Sequence, residues 1–166
     1  MAFGLLCLLR GNVFVYYGQE IGMVGSGEDP NKRLGMLWTD EEEPCLPPPG
    51  TTKIEYAYPA VAEQEEDPSS ILNYYKQALA LRETFPAIAR GRGKVLPCKQ
   101  DDVCLIRKQY GSETLVLAVN PSKSEQEIAP DGVTGLEASL CAEAADEAVI
   151  ANGVLRLPPY SIAVLE

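Results

Sequence analysis

The residues with the clearest capacity for chemistry follow a short apolar run near the start of the chain. Val13–Tyr17 (VFVYY) ends at Gly18, and Gln19 and Glu20 come directly after it. An apolar and aromatic run of this length, bounded by glycine, is typical of a buried β-strand. Enzymes with parallel sheets build their sites from loop residues at the carboxyl ends of such strands. The carboxylate of Glu20 therefore predicts a site here, although the sequence offers no convincing second strand for a parallel sheet.

Histidine is absent from the sequence, which excludes several kinds of site within these 166 residues. They are a Ser-His-Asp or Cys-His nucleophile, a histidine metal site and a histidine pH switch. The cysteines are odd in number and form no C-x-x-C pair. We interpret them as reduced thiols that serve as small apolar residues, which favours a reducing compartment. A zinc site built from scattered cysteines is the alternative, and no cofactor is expected. The five cysteines are Cys7, Cys45, Cys98, Cys104 and Cys141.

The chain is acidic, with 24 acidic against 14 basic residues and a net charge of −10. Nucleic acids and anionic membranes attract basic surfaces, so neither is expected as a partner. Solubility is the simplest interpretation of this charge. The acidic run at 40–43 is interpreted as a solvated turn. A metal site there is the less favoured alternative, because the spacing does not match an EF-hand loop.

The elements around the predicted strand are helical or irregular. Ala2–Arg10 is a short helix candidate that ends at Gly11, and it is apolar on nearly all sides, so it needs cover from other protein. Residues 22–67 are rich in glycine, proline and acidic residues, and a loop of this length is usually functional or mobile. The clearest helix is Ile71–Thr84, because apolar residues recur at three- and four-residue spacing and Pro86 ends it.

From Gly93 onward the pattern changes to short extended runs separated by turn residues. Strands at roughly ten-residue spacing are typical of an antiparallel sandwich. Leu115–Val119 is apolar on both faces, so we expect it to be a central strand. Asn152-Gly153 is a strong signal for a two-residue hairpin turn. The predicted strands are Lys94–Pro97, Val103–Gln109, Glu113–Asn120, Glu125–Ala129, Leu136–Cys141, Val154–Leu157 and Tyr160–Leu165.

Three motifs, in order along the chain, resemble those of one known family. Y-Y-G-Q-E-I-G-M begins at Tyr16, D-P-N-K-R-L-G-M-L-W begins at Asp29, and S-S-I-L-N-Y-Y-K-Q-A-L-A-L-R begins at Ser69. This set is similar to the α-amylase superfamily, glycoside hydrolase family 13, and most of all to its oligo-1,6-glucosidase and α-glucosidase group. The L-V-L-A-V-N-P run and the closing L-P-P-Y-S-I-A-V-L are also similar to the family's C-terminal region. The resemblance therefore covers essentially the whole chain.

The resemblance implies a fold in two parts. Residues 1–90 would form the C-terminal end of a (β/α)8 barrel, with Val13–Tyr17 as the eighth strand, then the long loop and a helix at 70–85. Residues 91–166 would form a C-terminal antiparallel β-sandwich domain. The expected fold class is thus an α/β remnant, the last β/α unit of a TIM barrel, followed by an all-β sandwich. Met1 is then expected to be an internal methionine, since the family motif continues through it.

The resemblance also implies that this chain alone does not hydrolyse glycosides. Retaining glycosidases need a carboxylate nucleophile and a carboxylic acid roughly 5–5.5 Å apart. In this family both residues, and a third aspartate that stabilises the transition state, come from earlier barrel strands. None of those motifs occurs in this sequence. We therefore expect no catalytic residue, and we expect an α-glucan or oligosaccharide to be the substrate of an intact parent enzyme.

The substrate-binding candidates implied by the resemblance are Arg33, Glu20 and Tyr17. Arg33 matches an arginine that contacts sugar hydroxyls in the oligoglucosidase group, and its planar fork suits two adjacent oxygens. A plain surface arginine is the alternative. Glu20 matches the second carboxylate of the family's G-E-E motif, in which Gln19 replaces the first. We favour a hydrogen-bond anchor at the barrel mouth over an indirect role in the site. Tyr16 and Tyr17 could stack on sugar, but a core position is favoured for them.

The segment after Arg33 departs from the family's R-x-P-M-x-W pattern. Gly35 stands where proline is usual, and Leu37 stands where a polar residue is common. Both departures bear on the course of this loop. Trp38, the single tryptophan, could form a sugar-stacking platform, but we favour a packing role for it.

Two other functions remain open. One is a non-catalytic carbohydrate-binding or structural module built on the β-domain. The other is a structural fragment that self-associates through the apolar surface of Ala2–Arg10 and Val13–Tyr17. The first nine residues lack a basic leading region and are too short to span a bilayer, so no signal peptide is expected. The location is left unknown, with a preference for the cytoplasm.

Overall fold

The computed structural model of the chain describes residues 1–143 and 146–166. Its helices are α1 (Ala2–Leu8), α2 (Val61–Glu66), α3 (Ile71–Thr84) and α4 (Pro86–Arg90), with short 3-10 helices at Gln19–Ile21 and Asp29–Lys32. Its strands are β1 (Arg92–Leu96), β2 (Cys104–Tyr110), β3 (Glu113–Asn120), β4 (Gln126–Ile128), β5 (Leu136–Leu140), β6 (Val149–Ala151), β7 (Val154–Leu157) and β8 (Ser161–Leu165). The residues group into two compact units. The β-unit is Met1–Val13 with Tyr74–Glu166, and the loop unit is Phe14–Asn73.

Two antiparallel sheets make up most of the β-unit. A five-stranded sheet has the order β1-β2-β3-β8-β5, and a three-stranded sheet has the order β4-β7-β6. The middle strand of the larger sheet is β3, which pairs with β2 on one side and with β8 on the other. The prediction of a central strand at Leu115–Val119 is therefore confirmed. The predicted antiparallel sandwich is confirmed as well.

Alternation along β3 explains why this strand is apolar on both faces. Leu115, Leu117 and Val119 pack into a core with α1, α3 and α4. Ala118 belongs to a second core, with side chains of β2, β4, β7 and β8. Successive side chains of a strand point to opposite faces of the sheet, so one strand serves both cores.

The first core brings α1 close to α3 and β5. The rings of Phe3 and Tyr75 stack with centroids 3.5 Å apart. A Cβ atom added at Gly4 would lie 2.5 Å from the Tyr74 hydroxyl and 2.7 Å from a Leu140 methyl carbon. Since no side chain fits in that space, glycine is the residue that allows this close approach.

The turn between β6 and β7 follows the predicted hairpin. Ala151 pairs with Val154, so Asn152 and Gly153 alone form the loop. Both have positive φ, 51° and 76°. That is the backbone of a type I′ turn, which asparagine and glycine adopt with little strain. The strand before the turn, β6, was not predicted.

The helix prediction at Ile71–Thr84 is confirmed at both ends. Ser70 lies at its N-terminus, where the hydroxyl oxygen accepts a hydrogen bond from the backbone N–H of Asn73 at 3.1 Å. Pro86, the first residue of the next helix α4, comes shortly after the end of α3. The backbone N–H that proline lacks would have no partner within the helix at that position. The first helix is shorter than predicted, Ala2–Leu8 instead of Ala2–Arg10.

The predicted strand Val13–Tyr17 is wrong for this chain. The segment has no strand assignment, and no described strand pairs with it. Its side chains are also not buried: Phe14 is 82% exposed and Tyr16 is 61% exposed. A strand requires neighbours that bind its backbone and cover its faces, and the described residues provide none here.

Candidate functional site

The three predicted substrate-binding residues all lie in the loop unit, and Tyr17 connects two of their segments. Its hydroxyl donates a hydrogen bond to the Leu34 carbonyl at 3.2 Å. This bond places the segment that carries Tyr17 beside the segment that carries Arg33. The Tyr17 side chain is 44% exposed, and its ring lies 5.1 Å from the ring of Tyr16. The predicted core position is therefore wrong for both tyrosines in this chain.

Glu20 lies on the 3-10 helix Gln19–Ile21, which glycines bound on both sides. Gly18 and Gly22 have φ values of 82° and 75°, a left-handed conformation that glycine adopts without strain. The Glu20 Oε2 atom is buried and accepts no hydrogen bond from the described residues. A buried oxygen without a donor costs free energy, so this carboxylate is well placed to accept one from another molecule or segment.

Gln64 holds this short helix in place from α2. Its side chain is nearly fully buried. Its amide nitrogen donates to the carbonyls of Ile21, at 2.9 Å, and of Pro59, at 3.0 Å. Its amide oxygen accepts from the Leu72 N–H at 3.2 Å. Sequence reasoning missed Gln64, because 43 residues separate it from Ile21 and no periodicity connects them.

Arg33 lies at the surface and pairs with an acidic neighbour. Its guanidinium is 2.5 Å from the Asp29 carboxylate, and the two side chains are 58% and 67% exposed. An exposed ion pair of this kind adds little to stability. The guanidinium is therefore free to exchange Asp29 for another acceptor.

The loop around Arg33 owes its course to Asn31, a buried residue that sequence reasoning also missed. Asn31 donates to the carbonyl of Ser26 and the hydroxyl of Thr52, each at 3.2 Å. Its own amide oxygen accepts from the backbone of Thr52 at 2.9 Å and of Lys53 at 3.1 Å. One side chain thus joins three stretches of a loop that has little regular structure.

The segment after Arg33 has a close backbone contact at Gly35 and an exposed side chain at Trp38. A Cβ atom at Gly35 would lie 2.9 Å from both the nitrogen and the oxygen of the Cys45 backbone. The glycine in place of the family's usual proline thus permits close contact between two backbone segments. Trp38 is 58% exposed, so the predicted packing role is wrong within this chain.

A small group of tyrosines lies on the same unit. The rings of Tyr56 and Tyr58 meet edge to face, with centroids 6.1 Å apart. The Tyr58 hydroxyl is buried and has no hydrogen-bond partner among the described residues. Burial raises the pKa of the Tyr58 phenol and the neighbouring Tyr56 and Tyr17 raise it further, while a contact with the Leu37 backbone lowers it in part. The phenol therefore stays neutral and keeps its proton to donate.

The structure thus brings Tyr17 next to the Arg33 segment, and it places Glu20 on a separate anchored turn. No described contact joins the three side chains to each other. All five cysteines are free thiols. Across residues 1–143 and 146–166, no group of histidine, cysteine or acidic side chains has an arrangement that could hold a metal ion. No helix in those ranges is long and apolar enough to cross a bilayer.

Comparisons with known proteins show which proteins have sequences similar to this chain. Residues 1–91 match the model of the alpha-amylase catalytic domain. Alpha-amylase SusG of Bacteroides thetaiotaomicron is 31% identical over 93 residues, which are 55% of this chain and 13% of that protein. Alpha-amylase 3 of Dictyoglomus thermophilum is 28% identical over 134 residues, which are 75% of this chain and 26% of that protein.

A solved structure extends the similarity over nearly the whole chain. The structure of Eubacterium rectale Amy13B aligns with 99% of this chain, with a TM-score of 0.91 and 38% sequence identity. The aligned part is 33% of that protein. The chain therefore spans from about an eighth to a third of the length of these three proteins.

Proposed function

This chain belongs to the α-amylase family, and on that premise we propose that it is the C-terminal part of a glycoside hydrolase that acts on α-glucans or oligosaccharides. The observation that carries the proposal is the alignment of 99% of the chain with one third of a solved family structure. The resemblance to the family implies that its catalytic carboxylates belong to earlier barrel strands. The chain by itself is therefore proposed to be inactive.

We also propose the division into residues 1–90, the end of the barrel, and residues 91–166, the β-domain. The match to the catalytic-domain model ends at residue 91, and β1 begins at Arg92. Both observations support a boundary at this point.

Arg33, Glu20 and Tyr17 are proposed to act at the substrate side of the parent enzyme. The exposed Arg33 guanidinium can donate to two adjacent sugar hydroxyls once Asp29 is displaced. Glu20 has a buried oxygen without a donor, which supports an anchor for a barrel segment over direct contact with sugar. Tyr17 positions the loop through its hydrogen bond to Leu34.

An activity measurement tests the central proposal. The purified chain is expected to show no turnover of a nitrophenyl α-glucoside, whereas a protein extended by the upstream reading frame should hydrolyse it. Activity that copurifies with the 166-residue chain through several columns would contradict the proposal. The reading frame is a second test: an uninterrupted frame that encodes the other barrel strands supports a longer parent, and a stop codon directly upstream contradicts it.

Self-association through the exposed barrel surface is a further proposal. Phe14 is 82% exposed, beside Val15 and Tyr16, which makes a run of apolar surface. Light scattering of the wild-type chain should show oligomers, and Phe14→Ser should shift the distribution toward the monomer. Leu46→Ser is the control, because Leu46 is 94% exposed but lies away from this run in the sequence. A monomeric wild-type chain would remove the proposal.

A groove in the β-unit favours a second candidate function, non-catalytic binding of carbohydrate. The groove has a volume of about 760 Å³ and lies beside β2, β3 and β4. Its wall includes apolar Leu105 and Val116, together with Lys99, Gln100 and Arg107, whose side chains can hydrogen-bond to sugar hydroxyls. Calorimetric titration with maltose and with isomaltose tests this function. The absence of heat at millimolar sugar would count decisively against it.

A further inference from the structure

The first strand of the β-unit leaves one edge of the larger sheet open. β1 (Arg92–Leu96) is the outermost strand of the five-stranded sheet, and β2 is the strand that pairs with it. Four of its five residues are exposed, among them Val95 at 66%. The outer edge of such a strand presents unpaired backbone N–H and C=O groups, so it can accept a further strand.

The hairpin between β2 and β3 identifies which backbone groups of β2 are directed at β1. Tyr110 pairs with Glu113 around a two-residue loop, Gly111-Ser112. The pair that closes a loop of this length exchanges backbone hydrogen bonds. Because the direction of these groups alternates along a strand, the even-numbered residues of β2 bind β3. The odd-numbered residues of β2 are therefore directed at β1.

The same alternation identifies the groups that face outward from β1. Arg107 is an odd-numbered residue of β2, and its partner on β1 is Lys94. The backbone N–H and C=O of Lys94 are thus bound to β2. Its two neighbours, Gly93 and Val95, have the opposite direction. Their N–H and C=O groups face the open edge.

The side chains beside this edge are basic. β1 and β2 together contain four basic residues and no acidic one, in a chain with a net charge of −10. Lys94 lies directly opposite Arg107, and Arg92 is two residues away on β1, so the three share one face of the sheet. Like charges in directly opposite positions destabilise a pair of strands. None of the three belongs to an ion pair within residues 1–143 and 146–166.

Carboxylates of the chain itself do not neutralise this face. Glu127, Asp131 and Glu166 line the groove that Arg107 also lines, but no ion pair joins any of them to Arg107 among the described residues. A second copy of β1 is also a poor partner. An antiparallel pair of two β1 strands centred on Lys94 would place the two lysines opposite each other, and lysine on an edge strand opposes such pairing.

We propose that the β1 edge is a docking site for an extended acidic segment of another protein, which adds to the sheet as a further strand. The outward N–H and C=O groups of Gly93 and Val95 bind its backbone, and its carboxylates lie opposite Arg92 and Lys94. Successive residues of a strand point to opposite faces, so the segment has an acidic residue at every second position. The positions between them lie on the face of exposed Val95 and are apolar. This partner is distinct from the sugar ligand proposed for the groove.

A capped heptapeptide in which glutamate alternates with valine tests the site on the 166-residue chain. Binding is followed by calorimetry and by two-dimensional NMR in a buffer of low ionic strength, since salt screens exposed charges. We expect one saturable site with a dissociation constant of about 0.1 mM, a low affinity because the peptide loses its freedom on binding. Exchange of the Gly93 and Val95 amides with solvent should slow when the peptide binds. The Lys94 amide, already bound to β2, should change little.

Two control peptides distinguish strand addition from simple charge attraction. The peptide with lysine in place of glutamate should not bind. A peptide of the same composition, with its glutamates consecutive, should bind at least about tenfold more weakly, because half of its carboxylates would point away from the basic face. The proposal is overturned if either control binds as tightly as the alternating peptide.

Three variants of the chain complete the test. Lys94→Glu should weaken peptide binding at least about tenfold, because it replaces an attraction by a repulsion, while the new carboxylate opposite Arg107 favours the fold. Lys123→Glu is the matched control, since it makes the same charge change at an exposed lysine outside the strands, and it should bind as the wild type does. Val95→Pro removes an outward N–H and leaves the bonds between β1 and β2 in place, so it should weaken binding by a similar factor.

Four results would overturn the proposal. The first is no saturable binding to the wild type up to about 20-fold the expected constant, about 2 mM. The second is unchanged affinity in Lys94→Glu or in a folded Val95→Pro, and the third is an equal loss in Lys123→Glu. The fourth is slow exchange of the Gly93 and Val95 amides before any peptide is added, which would show that a second copy or another segment of the chain occupies the edge.

Discussion

Replacing Gln64 by alanine is expected to destabilise the loop unit by about 3 kcal/mol. The substitution removes three hydrogen bonds between a side chain and the backbone: two to the carbonyls of Ile21 and Pro59, and one from the Leu72 N–H. The Ile21 carbonyl is left buried, which costs about 1–3 kcal/mol. The other two groups are partly buried and contribute about 0.5–1.5 kcal/mol each.

Trp38 provides a specific assay for this unit. It is the single tryptophan of the chain, and it lies in the loop unit, so its fluorescence in a urea titration reports the unfolding of that unit. Amide exchange at Leu72 gives a local measure. A loss of 3 kcal/mol would accelerate exchange there about 100-fold, because each 1.4 kcal/mol is a factor of ten.

Gln77→Ala is the matched control, because Gln77 is an exposed glutamine on α3. Its effect should stay within about 0.5 kcal/mol. If Gln64→Ala also stays within that range, and exchange at Leu72 is unchanged, the claim that Gln64 anchors the short helix of Glu20 is refuted.

Gln64→Glu adds a pH dependence to the same test. Burial opposite two carbonyl oxygens would raise the pKa of the new carboxyl above its ordinary value of about 4.3. The folded variant would then bind more protons than the unfolded chain. Its stability relative to the wild type should be highest below about pH 4.3 and should fall as the pH rises through the raised pKa. If the difference in stability between the variant and the wild type is the same at about pH 4 and at about pH 8, this reasoning is contradicted.

Substitutions at three further positions test other parts of the structure. Asn120→Ala should destabilise the β-unit by about 3–5 kcal/mol in urea titrations followed by far-UV circular dichroism. Asn120 is the last residue of β3, and its fully buried side-chain amide donates to the backbone carbonyls of Ser124, Leu157 and Pro158. A loss below about 1 kcal/mol would show that water replaces those bonds. Arg82→Gln should cost about 2 kcal/mol in the same assay, and Arg82→Lys should recover only part of it, since an ammonium cannot reach all three carbonyls that Arg82 binds at the end of α1, those of Cys7, Leu9 and Gly11. Lys108→Met should be more stable than the wild type at neutral pH, because an apolar side chain replaces a buried ammonium on β2. Burial lowers the pKa of the Lys108 amine, and the folded wild type therefore binds fewer protons there than the unfolded chain does. The gain should thus shrink as the pH rises toward 10.5, the ordinary lysine value; a gain that grows with pH would contradict the lowered pKa.

Much of the β-unit could be predicted because its signals are local. The alternation in Leu115–Val119 and the Asn152-Gly153 turn each depend on a few consecutive residues, and the structure has both as predicted. Strand β6 was missed because only three residues take part, and its pairing with β7 is what makes it a strand. Helix α3 was predicted to the residue, since its periodicity, its serine cap and the following proline all agree.

The candidate site was predictable only in part. Motif resemblance pointed to Glu20, Arg33 and Tyr17, but nothing in the sequence pointed to Gln64 or Asn31, which hold their loops. These two side chains bind backbone groups up to 43 and 22 residues away. Contacts at such separations depend on the path of an irregular loop, and no period of two or of 3.6 residues encodes that path.

The amino-acid sequence by itself determined the family, the sandwich and the absence of histidine chemistry. Each of these follows from residue types or from short-range pattern. Only the tertiary structure decided the state of Val13–Tyr17, the isolation of Glu20 Oε2 and the burial of Lys108. The physical reason is that the backbone groups of a strand, a buried acceptor and a buried charge each need partners. Which groups lie near enough to be partners is determined only when the chain folds.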